Sequence, residues 1–220
     1  MSSVQLVDLS HEIEDGMVTY PGLPGPRIDA HLSFDASRQV YAEGTEFQIG
    51  RIEMVGNTGT YIDSPEHRYR DGRGLAAIAL EQIAGIPGVV IDADGPTIEP
   101  DPRLTADLGG HAVLFRTGWS RHWRTERYGH PDHPHLSSRT VDALLAARPA
   151  IVGIDSVNID DTRGGERDAH TRLLAADILI VEHLTGLDSL PASGFEFFAV
   201  PAKVAGIGTF PVRAFAVVRG

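Results

Sequence analysis

The stretch Gly56-Asn57-Thr58-Gly59-Thr60-Tyr61-Ile62-Asp63-Ser64-Pro65-Glu66-His67-Arg68 reads as a strand that ends in a sharp turn. Asp63 follows the apolar Ile62 and precedes Ser64-Pro65, and a proline biases the residue before it towards an extended conformation. The carboxylate is therefore presented where the strand stops. His67 lies four residues on and converges with Asp63 on one point if the chain turns at Pro65. Gly56 and Gly59, flanking Asn57, allow close backbone approach to whatever binds. Taken alone, an Asp and a His at this spacing also describe a solvated turn, because short patterns have many chance matches.

Around this segment the chain has 220 residues, 42% of them hydrophobic, enough for a full core in one domain spanning 1–220. No apolar run is long enough to span a bilayer, and Met1-Ser2-Ser3-Val4-Gln5-Leu6 lacks the basic and apolar regions of a signal peptide. The expected location is cytoplasmic, with no membrane partner. The absence of cysteine excludes disulfides, thiolate ligands and a cysteine nucleophile, so any transition metal falls to His, Asp and Glu. A formal net charge of -11 argues against nucleic acid as a partner, since phosphate binding needs concentrated Lys and Arg. Ten histidines make a His/carboxylate site worth seeking.

Val4 to Leu9 and Phe47 to Val55 read as strands, the second interrupted at Gly50 by a bulge. Pro21-Gly22-Leu23-Pro24-Gly25-Pro26 predicts a tight loop. Val89-Val90-Ile91, Ala112-Val113-Leu114-Phe115 and Ala150-Ile151-Val152-Gly153-Ile154 are short apolar runs, as in strands covered on both faces. Ser137-Ser138 ahead of Val141, Leu144 and Leu145 predict a capped amphipathic helix closed by Arg148-Pro149. A second helix is expected from Asp168 to Ala176, then a strand from Ile178 to Leu184, then a hairpin pair from Ala199 to Val218 bent at Gly206-Ile207-Gly208. This alternation gives a mixed α/β fold.

A second chemical candidate is His170 with Glu182. His170 shares a helix face with Leu173, Leu174 and Asp177, and Glu182 continues the strand face of Ile178 and Ile180. A carboxylate buried that way needs a cation, a histidine or a metal against it; a core His170–Glu182 pair with no catalytic purpose meets the same need. The histidine-rich run His130-Pro131-Asp132-His133-Pro134-His135, preceded by His122, reads as an irregular exposed loop able to take adventitious metal. In Arg116-Thr117-Gly118-Trp119-Ser120, Trp119 with nearby Trp123 either walls an apolar substrate pocket or covers the core. There is no Gly-x-Ser-x-Gly elbow, His-Glu-x-x-His pair or Gly-x-x-x-x-Gly-Lys phosphate loop.

The opening stretch resembles the signature of the cyclase / kynurenine-formamidase-like metal hydrolases, which also include isatin hydrolases: His-x-Gly-Thr-His-x-Asp-x-Pro-x-His. Asp63, Pro65 and His67 match it, while Asn57 and Tyr61 stand where its first two histidines belong. The resemblance extends along the chain through Asp8-Leu9-Ser10-His11, Arg116-Thr117-Gly118-Trp119, Gly153-Ile154-Asp155-Ser156, His170, Ile180-Val181-Glu182-His183-Leu184 and Pro211-Val212-Arg213-Ala214. It implies a swivelling β/β/α-type fold, a homodimer or homotetramer, and hydrolysis of N-formyl groups or cyclic amides with one or two divalent metals. In the two-metal relatives the first two signature histidines and the Asp hold one ion. The last signature His, with a later His and Glu, helps hold the other. Carried over, Asn57 and Tyr61 cost the first site two ligands, and the set Asp63, His67, His170 and Glu182 remains for one ion, zinc or manganese.

The resulting expectation is a hydrolase acting on a small carbonyl substrate: a cyclic amide, formamide or lactone. Water is activated among Asp63, His67, His170 and Glu182; Asn57 and Trp119 contact substrate; Tyr61, with a phenol of reference pKa about 10, polarises the carbonyl. The alternatives are a metal-free cyclase, dehydratase or isomerase using Tyr61, His67 and Glu182 as acid/base groups, and a ligand-binding pseudoenzyme.

Overall fold

The apolar runs of the middle of the chain become the centre of a nine-stranded mixed sheet. The computed structural model describes residues 3–105 and 107–220. In chain order the strands are β1 (Val4–Asp8), β2 (Arg27–Leu32), β3 (Ile49–Glu53), β4 (Tyr61–Asp63), β5 (Ala84–Asp92), β6 (Thr97–Ile98), β7 (Ala112–Arg116), β8 (His135–Leu136), β9 (Ile151–Ile154), β10 (Leu179–Glu182), β11 (Ser193–Phe198), β12 (Thr209–Pro211) and β13 (Phe215–Arg219). The helices are α1 (Phe34–Ser37), α2 (Ser138–Ala147) and α3 (Asp168–Ala175). The large sheet runs β1-β13-β11-β5-β7-β9-β10-β4-β12. Its β5, β7, β9 and β10 are parallel, and the strands on either side join antiparallel.

Side chains alternate across the sheet with period two. Ala112 and Leu114 join one apolar cluster with Ile62, Val90, Val181 and Phe197. Val113 and Phe115 join the other with Val152, Ile180 and the helical residues Leu144, Leu173 and Leu174. The uninterrupted apolar runs are thus explained: both faces of these strands are covered. Helix α2 starts where expected, with the Ser137 hydroxyl accepting from Thr140 N at 3.2 Å, and ends on Arg148 in a left-handed conformation (φ 51°) ahead of Pro149. Helix α3 has no capping side chain at Arg167. Instead Asp160 reaches its start and accepts from Ala169 N (2.6 Å) and His170 N (3.1 Å).

Three expectations are corrected. The tail is not a pair of hairpins: β12 pairs with β4, and β13 pairs with β1 and β11, so the turn at Gly206–Gly208 sends the chain across the sheet. The irregularity predicted at Gly50 falls on the opposite strand, between Ala30 and Leu32. The histidine-rich loop is not wholly exposed: His133 and His135 are buried, and His133 lies 3.0 Å from Thr162 Oγ1 and 3.3 Å from Ser156 Oγ.

Candidate active site

Strand register builds the site. β4 lies between β10 and β12, with Tyr61 opposite Glu182, and Asp63 opposite both Ile180 and Thr209. Tyr61 and Asp63, two residues apart, share the sheet face that packs against α3, and His170 comes down on them from that helix. The chain then turns at Pro65 into a single 3-10 turn ending at His67. Gly208 holds this turn: its carbonyl accepts from Ser64 N (2.8 Å) and Ser64 Oγ (3.0 Å). A Cβ at Gly208 would lie 2.2 Å from His67 N, so only glycine lets the two segments meet.

The sequence-predicted residues Asp63, His67, His170 and Glu182 converge. One ligand atom each from Asp63, His67 and His170 lies within 4.8 Å of the others. His170 Nε2 is 3.7 Å from Asp63 Oδ2 and 3.7 Å from Glu182 Oε1. The other ring nitrogen, Nδ1, is 2.6 Å from Asp160 Oδ2, the carboxylate–histidine pairing that orients metal-binding imidazoles. Thr209 Oγ1 donates to Asp63 Oδ1 and lies 2.7 Å from His67 Nδ1, tying these two together. Asp63 Oδ2 is fully buried with no hydrogen-bond partner among the described residues.

An orphaned carboxylate oxygen of this kind calls for a cation. Burial alone would push the His170 pKa down. The charge of Glu182, the hydrogen bond with Asp160, and Asp63 together outweigh it and hold the pKa well above the ordinary value. Burial works against the charge of Asp160 too, but its bond with His170 keeps the carboxyl below the usual range. Three desolvated carboxylates thus face one imidazole. Two histidines and an aspartate with one free oxygen are a donor set suited to zinc or manganese.

Glu182 stands apart from that trio. Its Oε2 accepts the Tyr61 hydroxyl (2.7 Å) and its Oε1 accepts Ile159 N (2.6 Å), so each oxygen has one hydrogen bond and a second lone pair left. Burial pushes its pKa up to about 7. Burial, with the charges of Glu182 and Asp63, likewise raises the Tyr61 phenol well above 10. In this arrangement the Tyr61 hydroxyl donates to Glu182.

A pocket of ≈ 310 Å³ opens over these groups, lined by Tyr20, Leu23, Asn57, Tyr61, His67, Arg68, Asn158, Arg167, His170 and Glu182. Asn57 sits in its wall, as expected. Trp119 does not: it is 6% exposed, packs with Tyr128 and Val157, and donates Nε1–H to Tyr128 O at 2.9 Å. A larger cavity of ≈ 530 Å³ lies between Glu14–Thr19 and Trp123–Gly129, but none of Asp63, His67, His170 or Glu182 lines it.

The sequence reading missed Asp160, Thr209, His183 and Tyr128. A polar residue ahead of an uncapped helix signals Asp160. Thr209 is visible only once β12 is known to pair with β4.

A family model described as "Putative cyclase" matches residues 7–161. The chain is 27% identical over 211 residues to the kynurenine formamidase of Salinibacter ruber, covering 95% of each chain. It is 28% identical over 211 residues to that of Erythrobacter litoralis, covering 92% of this chain and 89% of that one. Isatin hydrolase A from Labrenzia aggregata, solved with benzyl benzoate, aligns with a TM-score of 0.81 at 25% identity over 98% of this chain and 94% of that one. Isatin hydrolase A from Ralstonia solanacearum shares the fold, with a TM-score of 0.81 at 24% identity over 98% of this chain and 92% of that one. With a model match over residues 7–161 and relatives aligned along nearly its whole length, the chain belongs to the cyclase family of enzymes.

Proposed function

We propose that the chain hydrolyses a small amide, either an N-formyl group or a cyclic amide, with one divalent ion held by Asp63, His67 and His170. The observation that carries this reading is Asp63 Oδ2, buried, without a hydrogen bond among the described residues and 3.7 Å from His170 Nε2. The names of the relatives, formamidases and isatin hydrolases, support the amide class.

A bound ion polarises a carbonyl and lowers the pKa of water to about 7. Everything else falls to the chain's own side chains. Asp160 and Thr209 fix the orientation of His170, His67 and Asp63. Glu182, with its pKa pushed up to about 7 by burial, is poised to take a proton from the attacking water and to return it to the departing nitrogen. Tyr61 holds Glu182 in place. Arg68 and Arg167 line the pocket and make their hydrogen bonds to Thr171 Oγ1 and to backbone carbonyls rather than to acids, so their positive charge is available to the carboxylate that hydrolysis creates.

The test is elemental analysis together with turnover of formylated kynurenine and of isatin. One equivalent of zinc or manganese, lost in Asp63→Asn with loss of hydrolysis, is the expected result. Full activity after chelation would replace this reading with a metal-free acid/base site. An ion-loaded protein inert towards both amides would remove the amide assignment.

A further inference from the structure

Behind Tyr61, away from the pocket, lies a buried line of polar groups. His183 Nε2 is 3.2 Å from the Tyr61 hydroxyl, and His183 Nδ1 is 2.8 Å from the Tyr128 hydroxyl. Tyr61, Tyr128, Glu182 and His183 are all at most 3% exposed. Of the four, only Tyr61 and Glu182 line the pocket.

The protons in this line can be counted. Glu182 as a carboxylate only accepts, so the single Tyr61 proton goes to it. The Tyr61 oxygen must then accept from His183 Nε2–H. His183 is fully buried and meets a hydroxyl at each ring nitrogen with no acid against it, so the imidazole is neutral: Nδ1 carries the lone pair and Tyr128 donates to it. Every bond in the sequence Tyr128, His183, Tyr61, Glu182 therefore points the same way.

The backbone is arranged to allow this. His183 adopts φ 56°, a conformation that non-glycine residues seldom take. It is pinned there by Thr60 Oγ1 donating to its carbonyl (2.6 Å) and by its own N–H on Ser156 O (3.3 Å). Tyr128 is wedged against Trp123, with ring centroids 4.9 Å apart.

We propose that His183 and Tyr128 are positioning residues for the hydrolysis. By filling the acceptor side of the Tyr61 hydroxyl, they commit its proton to Glu182 and fix that carboxylate as the proton acceptor of the pocket. The position at which the family signature has a metal-binding histidine is thereby turned into a clamp. This rests on the amide-hydrolysis reading only for its kinetic part.

Two experiments separate the parts. Long-range ¹⁵N–¹H spectra at pH 8, with His183 identified by its loss in His183→Gln, report the tautomer without any substrate. The expected signature is protonated Nε2 and bare Nδ1, and an Nδ1–H tautomer or an imidazolium would overturn the proposal. In kinetics, Tyr128→Phe should lower kcat about tenfold and Tyr61→Phe about a hundredfold, with KM and ion content unchanged. The double variant should be no slower than Tyr61→Phe alone, because Tyr128 acts only through Tyr61. Multiplying effects, or a Tyr128→Phe enzyme as fast as wild type, would defeat the inference. A protein with the predicted tautomer that hydrolyses no amide would instead count against the functional reading alone.

Discussion

At position 61 a phenol replaces the imidazole that the family signature places there, and the two differ in what they offer a neighbouring carboxylate. An imidazole presents a lone pair to an ion. A phenol whose pKa is held well above 10, chiefly by burial, keeps its proton and can only donate it, here to Glu182. Restoring both signature histidines in Asn57→His/Tyr61→His should therefore add ligands beside Asp63 and raise the ion content from one to two per chain in elemental analysis. An unchanged stoichiometry would show that the pocket, not those two residues, limits metal uptake. His183 makes a separate prediction. Burial depresses its pKa from 6.5 to about 3 in the folded chain, so between these values the unfolded state binds a proton that the folded state refuses. Its contribution is present above pH 6.5 and is lost as the pH falls towards 3, at about 1.4 kcal/mol per pH unit. Denaturant midpoints measured from pH 7 to 4 should fall less steeply in His183→Gln than in wild type. Parallel slopes would mean that the imidazole charges within the fold.

The three-residue strand β4 carries Tyr61 and Asp63, and it is held by partners on both edges rather than by its own length. Gly208 sits where β12 approaches the 3-10 turn, and a methyl group there would strike His67 N. Gly208→Ala should lower stability by about 2 kcal/mol or more, since backbone must move, and should loosen the ion site by displacing His67. Denaturant unfolding and a metal titration on the same variant check this, and wild-type values in both would refute it. The same geometry explains which parts were readable in the sequence. Runs such as Ala112–Phe115 announce buried strands through unbroken apolarity, and Ser137 announces α2 through capping chemistry. His170 and Glu182 stood out because each continues an apolar face that must bury it, and Asp63 and His67 because the turn at Pro65 brings them together. β12 carries no such signal, being three residues ended by a proline, so neither its pairing with β4 nor the role of Thr209 was legible. The burial of His133 was hidden for a related reason: the Ser156 and Thr162 groups that satisfy it are more than twenty residues away.

Among the described residues, β2 and β3 pair only with one another and stand outside the large sheet. A two-stranded ribbon is marginal unless something covers it. Its cross-strand pairs sort the two faces: Ile28 with Ile52 and Ala30 with Gly50 on one, Arg27 with Glu53 and Asp29 with Arg51 on the other. The charged face is matched within the chain by Arg51–Asp29 (2.6 Å) and Arg27–Asp29 (3.1 Å), so it needs no outside charge. The apolar face lies open, with Ile52 58% exposed. Nine of the fourteen exposed large apolar side chains among the described residues fall between Val18 and Ile52. Summed, these nine side chains expose on the order of 800 Å², comparable to what each partner contributes to a standard interface. The expected occupant is a second copy, because an uncharged face that sets Ala30 and Gly50 beside Ile28 and Ile52 can be self-complementary about a two-fold axis. Light scattering at tens of micromolar should therefore give about twice the 23.7 kDa of one chain. Ile28→Asp/Ile52→Asp should return the chain to its monomer mass with an unchanged circular dichroism spectrum. Gly50→Asp offers the same disruption independently, since a Cβ there meets nothing within 4 Å in the single chain. A wild-type monomer, or a dimer that survives these substitutions, would show that the ribbon's apolar face is not where two copies meet.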